Sequence, residues 1–359
     1  MRILMLAEDC NPDWTSLPVV GYKFAKAIAE FAEVTLVTQI RNQKQLERDG
    51  CGNAKIIYID TEEFAAPLDQ FIQFIQRKTG GGWTFSTGIK YFHSLYYEWK
   101  VWQRFRSELE AGAFDIVHRI TPMSPTHPSI LGVLSPVPFV LGPLNGGLAW
   151  PHQFQSELRR EGEWLSYLRH LYKVLPYVNL TYEKATVILA AFEHTIADLP
   201  QTVQPKMINF PEVGIDPALF SYVDRTPTQQ KTILFVGRLV PYKMPEVVVR
   251  AFAASPILRS HRLVMIGDGP ERDRLERIIA DHHLESCVSL LGQVPQAEVG
   301  QWMRKAEIFA FPSIRELGAG VVIEAMACGM APVVVDYGAP ADLVRPGCGV
   351  KIPLGTSEA

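Results

Sequence analysis

Two glutamates eight residues apart, Glu316 and Glu324, stand in the segment FPSIRELGAGVVIEAMACGM at positions 311–330. Upstream, Ile308–Phe311 reads as a short buried strand. Downstream, residues 321–328 read as a helix. One carboxylate is therefore expected in a strand-to-helix loop and the other about one turn into the helix. Gly318 and Gly320 let the backbone approach a ligand closely. The N–H groups of the helix start then point at that ligand, and the helix dipole favours an anion. A loop carboxylate accepts hydrogen bonds from sugar hydroxyls, and a helical carboxylate grips a ribose diol. The diphosphate of a nucleotide-sugar would lie between them. The plain alternative for the pair alone is a helix-start acid beside a loop acid on a solvated face.

Two further strand–loop–helix units bear on the choice. Residues 235–243 (FVGRLVPYK) place Gly237, Arg238 and Lys243 after the apolar run Thr232–Val236 and before a helix starting near Pro245. A diphosphate brings roughly two negative charges, and a guanidinium fork with a point-charge ammonium suits it. Residues 264–271 (VMIGDGPE) form another strand with a Gly-Asp-Gly turn that begins at Gly267. One such unit is a generic nucleotide-fold feature. Three in order, with the charges so placed, are far more specific.

On residues 235–243, 266–271 and 312–332 the chain resembles the retaining, GT-B type glycosyltransferases of family 4. The N-terminal half shares in the likeness through residues 1–7, 34–38 and 114–118. The resemblance implies that Arg238 and Lys243 hold the donor diphosphate, Glu316 the donor sugar hydroxyls and Glu324 the ribose. Gly237, Gly267, Leu317, Gly318, Ala319, Gly320 and Val321 would complete the donor site. Glu316, His118, Arg238 and Lys243 would carry the catalysis. Gly21, Asn145 and Gly146 would serve the acceptor side. The sequence departs from the family at Met244 and Leu317, where glycine is usual.

Composition agrees. A chain of 359 residues exceeds what one core usually serves, so two domains are expected. Hydrophobic content of 47% with 20% charged residues describes a globular protein. A net charge of −3 argues against a nucleic-acid partner. The five cysteines are odd in number and lack C-x-x-C spacing, so neither a disulfide framework nor a zinc site is suggested. No secretory signal is visible, and prolines scattered through residues 120–151 argue against a membrane span there. No Asp-x-Asp pair occurs, so a metal-bridged diphosphate lacks its usual ligands. No metal and no cofactor are expected.

Strand-like and helical runs alternate along the chain. The first strands are read at Arg2–Ala7, 34–38, Lys55–Ile59, 115–117, 138–141 and Val187–Ala190. A second series follows at Thr232–Val236, Arg262–Ile266, 288–291, Ile308–Phe311 and Ala331–Val335. Such alternation means α/β architecture with parallel sheets. The expected fold is two Rossmann-like domains with parallel sheets facing a central cleft, the GT-B arrangement. The boundary falls near residues 211–222. Residues 1–215 would bind the acceptor, and residues 216–359 the nucleotide-sugar donor. His118 is read just after a strand, and 142–147 (GPLNGG) as a turn after the strand at 138–141.

Two basic–aromatic stretches, 90–106 and 158–173, suit either a helix on an anionic membrane surface or one packed on the core with a basic outer face. The chain stops soon after Ile352, whereas proteins that resemble it continue with further helices. The expectation is a fragment, or a variant without the crossover helix.

The function so read is a retaining, metal-independent, hexosyltransferase-like glycosyltransferase acting in polysaccharide or glycolipid synthesis. It would move a sugar from a UDP- or GDP-sugar to a hydroxyl acceptor, either a sugar or a lipid-linked one. Its expected place is the cytoplasm, peripheral on the inner face of the membrane. Two rival classes share the nucleotide site. One is a 2-epimerase-like isomerase with acid/base groups drawn from Glu8, Asp9 and Asp13. The other is a non-catalytic nucleotide-sugar-binding protein.

Overall fold

The computed structural model describes residues 1–14, 16–79, 83–160, 176–226 and 228–355. The chain divides into two compact units. Unit 1 comprises Met1–Gly147 and Gly162–Glu212, and unit 2 comprises Leu148–Glu161 and Val213–Ala359.

Unit 1 is built on β1 (Arg2–Ala7), β2 (Glu33–Gln39), β3 (Lys55–Ile59), β4 (Ile116–Thr121), β5 (Phe139–Leu144), β6 (Val187–Ala190) and β7 (Met207–Asn209). They form one sheet in the order β3-β2-β1-β4-β5-β6-β7, and every pairing is parallel. Residues 3–7 of β1 are all buried, as a parallel strand covered on both faces requires. The helix Leu17–Ile28 packs so closely that a β-carbon on Gly21 would stand 2.4 Å from the Asp9 carbonyl oxygen. The long helix Trp83–Glu110 buries Tyr97, Val101, Trp102, Phe105 and Leu109 in the same core as Leu4, Leu6 and Val117. Core packing therefore accounts for the inner face of the first basic–aromatic stretch. Its outer face exposes Phe92 and Trp99. Residues 161–173 of the second stretch lie outside the described residues. Among the described residues, no helix is long and apolar enough to cross a membrane.

Unit 2 carries β8 (Thr232–Val236), β9 (Arg262–Ile266), β10 (Val288–Gly292), β11 (Ile308–Phe311), β12 (Ala331–Val335) and β13 (Val350–Ile352). Their order is β10-β9-β8-β11-β12-β13, again parallel throughout. Phe235, Phe252, Leu263, Met265 and Leu275 fill one side of the core. In each sheet the strand order reverses beside its first strand, between β1 and β4 in unit 1 and between β8 and β11 in unit 2. Ligands of open parallel sheets bind outside the carboxyl ends of the strands at such a reversal.

Two short strands, β7 and β13, escape the sequence reading. Each has only three residues, too few to show a pattern. A cut near residue 215 also does not anticipate that Leu148–Glu161 joins unit 2. There Trp150, Phe154 and Leu158 cluster with Ile314, against Tyr242, Met244 and Leu354. Arg160 pairs with Glu271 in the same unit. The second unit is thus made of two separate stretches of chain.

Candidate active site

The loops after β8 and β11 leave the two strands that flank the reversal in unit 2. The first runs from Gly237 through a tight turn at Pro241–Lys243 to Met244. Met244 has φ 49° and ψ 43°, a left-handed conformation, and Pro245 then opens the helix Pro245–Ala254. Glycine adopts this conformation freely, whereas an L side chain resists it by roughly 1–2 kcal/mol. The substitution of methionine for the usual glycine therefore leaves the turn in place at a local cost. Met244 also packs against the Trp150–Phe154–Ile314 cluster, which offsets that cost. The second loop ends in the same way. Ala319 is left-handed at φ 51° and precedes the helix Gly320–Ala327, with no side chain capping the helix start.

The two loops meet through their charges. Lys243 Nζ lies 2.5 Å from Glu316 Oε1, and each side chain is only 12% exposed. The buried Ser313 hydroxyl donates to the same carboxylate oxygen at 2.9 Å. Lys243 also stands 4.8 Å from the centre of the Phe311 ring and 5.5 Å from that of Tyr242. Burial works against its charge most strongly, but Glu316 and then Tyr242 outweigh burial and hold the ammonium above its usual pKa. The charge of Arg238 opposes them, which places this exposed guanidinium near the pair. Sequence reading gave Lys243 and Glu316 separate ligand groups; here they neutralise one another.

The other positions expected on the donor side also lie in unit 2. Gly267 has φ 133°, and a β-carbon there would fall 1.9 Å from the Gly237 carbonyl oxygen, so the two loops touch backbone to backbone. Leu317 and Gly318 lie between Glu316 and the left-handed Ala319. Gly320 and Val321 start the helix, and Glu324 follows one turn in, half-buried. Sequence reasoning missed Ser313. A serine three residues before a glutamate carries no signal until the loop folds back on itself.

Unit 1 places its expected residues differently. His118 does not follow a strand; it lies in the middle of β4, because that strand runs on to Thr121. It is 6% exposed and its Nε2 donates to the Gly142 carbonyl at 2.8 Å. Burial lowers its pKa, the bond to Gly142 acting in the other direction. Residues 142–144 are not a turn, since β5 continues to Leu144. Gly146 exchanges hydrogen bonds with Thr195 at 3.1 and 3.0 Å. Asn145 donates its side-chain amide to Glu212, and its carbonyl Oδ1 is buried without a partner. Burial raises Glu212 to a pKa of about 7, the bond from Asn145 opposing that rise. Gly21 is taken up by helix packing against Asp9. Asp13 is tied to Arg48 at 2.7 Å.

Comparison with known proteins bears on this geometry. Residues 222–358 match the family described as Glycosyl transferases group 1. A Campylobacter jejuni protein is 32% identical over 164 residues, 45% of this chain and 44% of its own length. It is named N-acetylgalactosamine-N,N'-diacetylbacillosaminyl-diphospho-undecaprenol 4-alpha-N-acetylgalactosaminyltransferase. The D-inositol 3-phosphate glycosyltransferase of Thermobispora bispora is 33% identical over 131 residues, 34% of this chain and 31% of its own length. The chain thus spans less than half the length of these curated relatives. Among solved structures, Anabaena HepE in complex with UDP matches with a TM-score of 0.64 at 20% identity, covering 100% of this chain and 87% of that one. The sucrose-phosphate synthase of Thermosynechococcus elongatus matches with a TM-score of 0.64 at 18% identity, with the same two coverages. At such identities the likeness is one of fold. The chain resembles the group 1 glycosyltransferases, through a family match over residues 222–358 and the two parallel-sheet α/β domains of the GT-B fold.

Proposed function

We propose that the chain is a retaining glycosyltransferase that moves a sugar from a nucleoside-diphosphate donor to a hydroxyl acceptor. The observation that carries this reading is the Lys243–Glu316 pair at the strand reversal of unit 2. It lies beside the helix start at Gly320, which no side chain caps. A ligand bearing both a diphosphate and sugar hydroxyls engages both members of the pair. The phosphate replaces Glu316 as the partner of Lys243, and the sugar hydroxyls replace Lys243 as partners of Glu316. Arg238 and the N–H groups from Gly320 onward supply the remaining positive field for the leaving diphosphate. In this reading unit 2 takes the donor through Gly237, Arg238, Lys243, Gly267, Glu324 and the stretch 316–321. Unit 1 takes the acceptor.

In this reading no protein residue acts as a covalent nucleophile. The departing phosphate oxygen takes the acceptor's proton on the face that it leaves, so the configuration is retained. Metal independence follows from the charge set, because Arg238, Lys243 and the helix start do what a bridging cation does elsewhere. His118, neutral and bonded to Gly142, acts through the backbone it holds.

The relatives named above support a role in glycolipid or polysaccharide synthesis with a lipid-linked or cyclitol acceptor. Exposed Phe92 and Trp99 on the helix Trp83–Glu110 favour a peripheral place on a membrane surface. Incubation with a panel of UDP- and GDP-sugars, with and without hydroxyl acceptors, tests the assignment. Acceptor-dependent release of nucleoside diphosphate supports it. Interconversion of the sugar without acceptor supports the isomerase, and binding without turnover supports the non-catalytic class.

A further inference from the structure

The stretch Leu148–Glu161 belongs to unit 2 although the chain reaches that unit again only at Val213. One of its residues, Trp150, meets both of the loops that carry Lys243 and Glu316. Its ring stands edge-to-face against Tyr242, with centroids 6.5 Å apart and planes at 88°. Tyr242 directly precedes Lys243. The guanidinium carbon of Arg315 lies over the same indole, 5.2 Å from the ring centre. Arg315 directly precedes Glu316. A single side chain thus engages the chain neighbour of each member of the pair.

The backbone on the N-terminal side of Trp150 is tied to the same region. The Tyr337 hydroxyl donates to the Ala149 carbonyl at 2.9 Å. A β-carbon on Gly338 would fall 2.8 Å from Leu148 Cδ2 and equally near the Glu316 carbonyl oxygen, so Leu148 and the second loop close on one glycine. At the other end of the stretch Arg160 pairs with Glu271. Trp150 is therefore presented to the loops by a segment held at both ends.

The choice of side chain bears on its role. Trp150 is 7% exposed, and its Nε1 is buried without a hydrogen-bond partner among the described residues. A buried indole usually finds a partner for that N–H, and leaving it unmet is unfavourable. Leucine would fill an ordinary core position without that cost. What leucine lacks is a ring, with an edge to meet Tyr242 and a face to carry the Arg315 cation. The two loops are already joined by backbone, since the Tyr242 carbonyl accepts from the Ile314 N–H at 2.9 Å and from the Ser313 hydroxyl at 3.3 Å. The indole adds a side-chain tie one residue further along the second loop. With both loops so fixed, the long lysine stem and the glutamate meet at one distance.

We propose that Trp150 is a positioning residue for the candidate active site, holding Lys243 and Glu316 in register by engaging the residue before each. The positioning rests on unit 2 alone. Its bearing on transfer rests on the glycosyltransferase reading given above.

The test uses the full chain. A double-mutant cycle between Lys243→Ala and Glu316→Gln, read by denaturant unfolding, gives the coupling of the pair, and a uniform loss of stability cancels from it. The coupling should fall by about half or more in a Trp150→Leu background and stay near the wild-type value in Trp150→Phe, which keeps an edge and a face. Turnover of the nucleotide-sugar should follow the coupling, with kcat/KM about ten- to hundredfold lower in Trp150→Leu and within about threefold of the wild type in Trp150→Phe. Coupling that is the same in all three backgrounds overturns the proposal, as does full turnover in a folded Trp150→Leu protein. Coupling that falls in a chain that turns over no nucleotide-sugar refutes the glycosyltransferase reading and upholds the tie between Trp150 and the pair. Should Trp150→Leu not fold, the chain labelled with 5-fluorotryptophan decides. The fluorine resonance of Trp150, assigned by its loss in Trp150→Phe, must then move in Glu316→Gln, and an unmoved resonance refutes the tie.

Discussion

The side chain of Lys243 lies across Gly237, so that a β-carbon at 237 would stand 3.3 Å from Lys243 Cδ and 3.7 Å from its Nζ. Glycine at 237 therefore sets where the ammonium rests as well as where the backbone turns. Gly237→Ala should displace the lysine by a few tenths of an ångström and lower kcat/KM for the nucleotide-sugar by about tenfold. Steady-state turnover checks this. Unchanged kinetics would mean that the diphosphate does not depend on Lys243.

Breaking the pair from either side should have unequal effects on stability. Lys243→Ala leaves Glu316 buried with the Ser313 hydroxyl as its donor among the described residues and should cost about 3–5 kcal/mol. Glu316→Gln keeps a hydrogen-bonding group against Lys243 and should cost less, about 1–3 kcal/mol. Yet Glu316→Gln should lower transfer about a hundredfold or more while UDP still binds. Denaturant unfolding and turnover separate the two effects. Full activity in a folded Glu316→Gln protein would remove Glu316 from the site.

Glu212 should give the protein a pH dependence of a particular sign. Its folded pKa is about 7, against an ordinary value of 4.5. Between those values the folded state holds the extra proton, so stability is present below pH 4.5 and falls as pH rises through 7. Glu212→Gln should match the wild type near pH 5 and exceed it at pH 8 by about 1–3 kcal/mol. Melting curves at both pH values check the sign; a variant less stable than the wild type at pH 8 contradicts it.

Turnover should survive a strong chelator, because the positive charge around Lys243 comes from side chains and a helix start. Complete loss in EDTA, restored by magnesium or manganese, would show that the electrostatic account is wrong.

Phe92 and Trp99 stand seven residues apart, two turns along the helix Trp83–Glu110, and are 62% and 44% exposed. Co-sedimentation with anionic vesicles at low salt should fall in Phe92→Ser/Trp99→Ser, and in the wild type as salt screens the basic face. Vesicle binding that ignores both changes would assign this face to another role.

The central strands were legible because a parallel strand buried on both faces is a continuous apolar run, as at Arg2–Ala7 and Ile308–Phe311. Edge strands of three residues, such as Val350–Ile352, carry no such signal. The loops after β8 and β11 were legible as loops because they follow two of the central strands, and Arg238, Lys243 and Glu316 stand at short offsets from the strand ends. That Lys243 and Glu316 would face each other was not, since nothing in a sequence says which of two loops 73 residues apart leans toward the other. His118 was misplaced because β4 continues through the polar residues His118, Arg119 and Thr121, and alternation fails where both faces are covered.

The Leu148–Glu161 stretch has a consequence for heredity. A second unit copied into another gene from residue 213 onward would arrive without Trp150, Phe154 and Leu158, and Ile314 would lose the side chains that cover it. Recombination at the obvious seam is therefore penalised. Exchange of this unit between such genes must carry two separated stretches of sequence, or proceed by point substitution within the loops themselves.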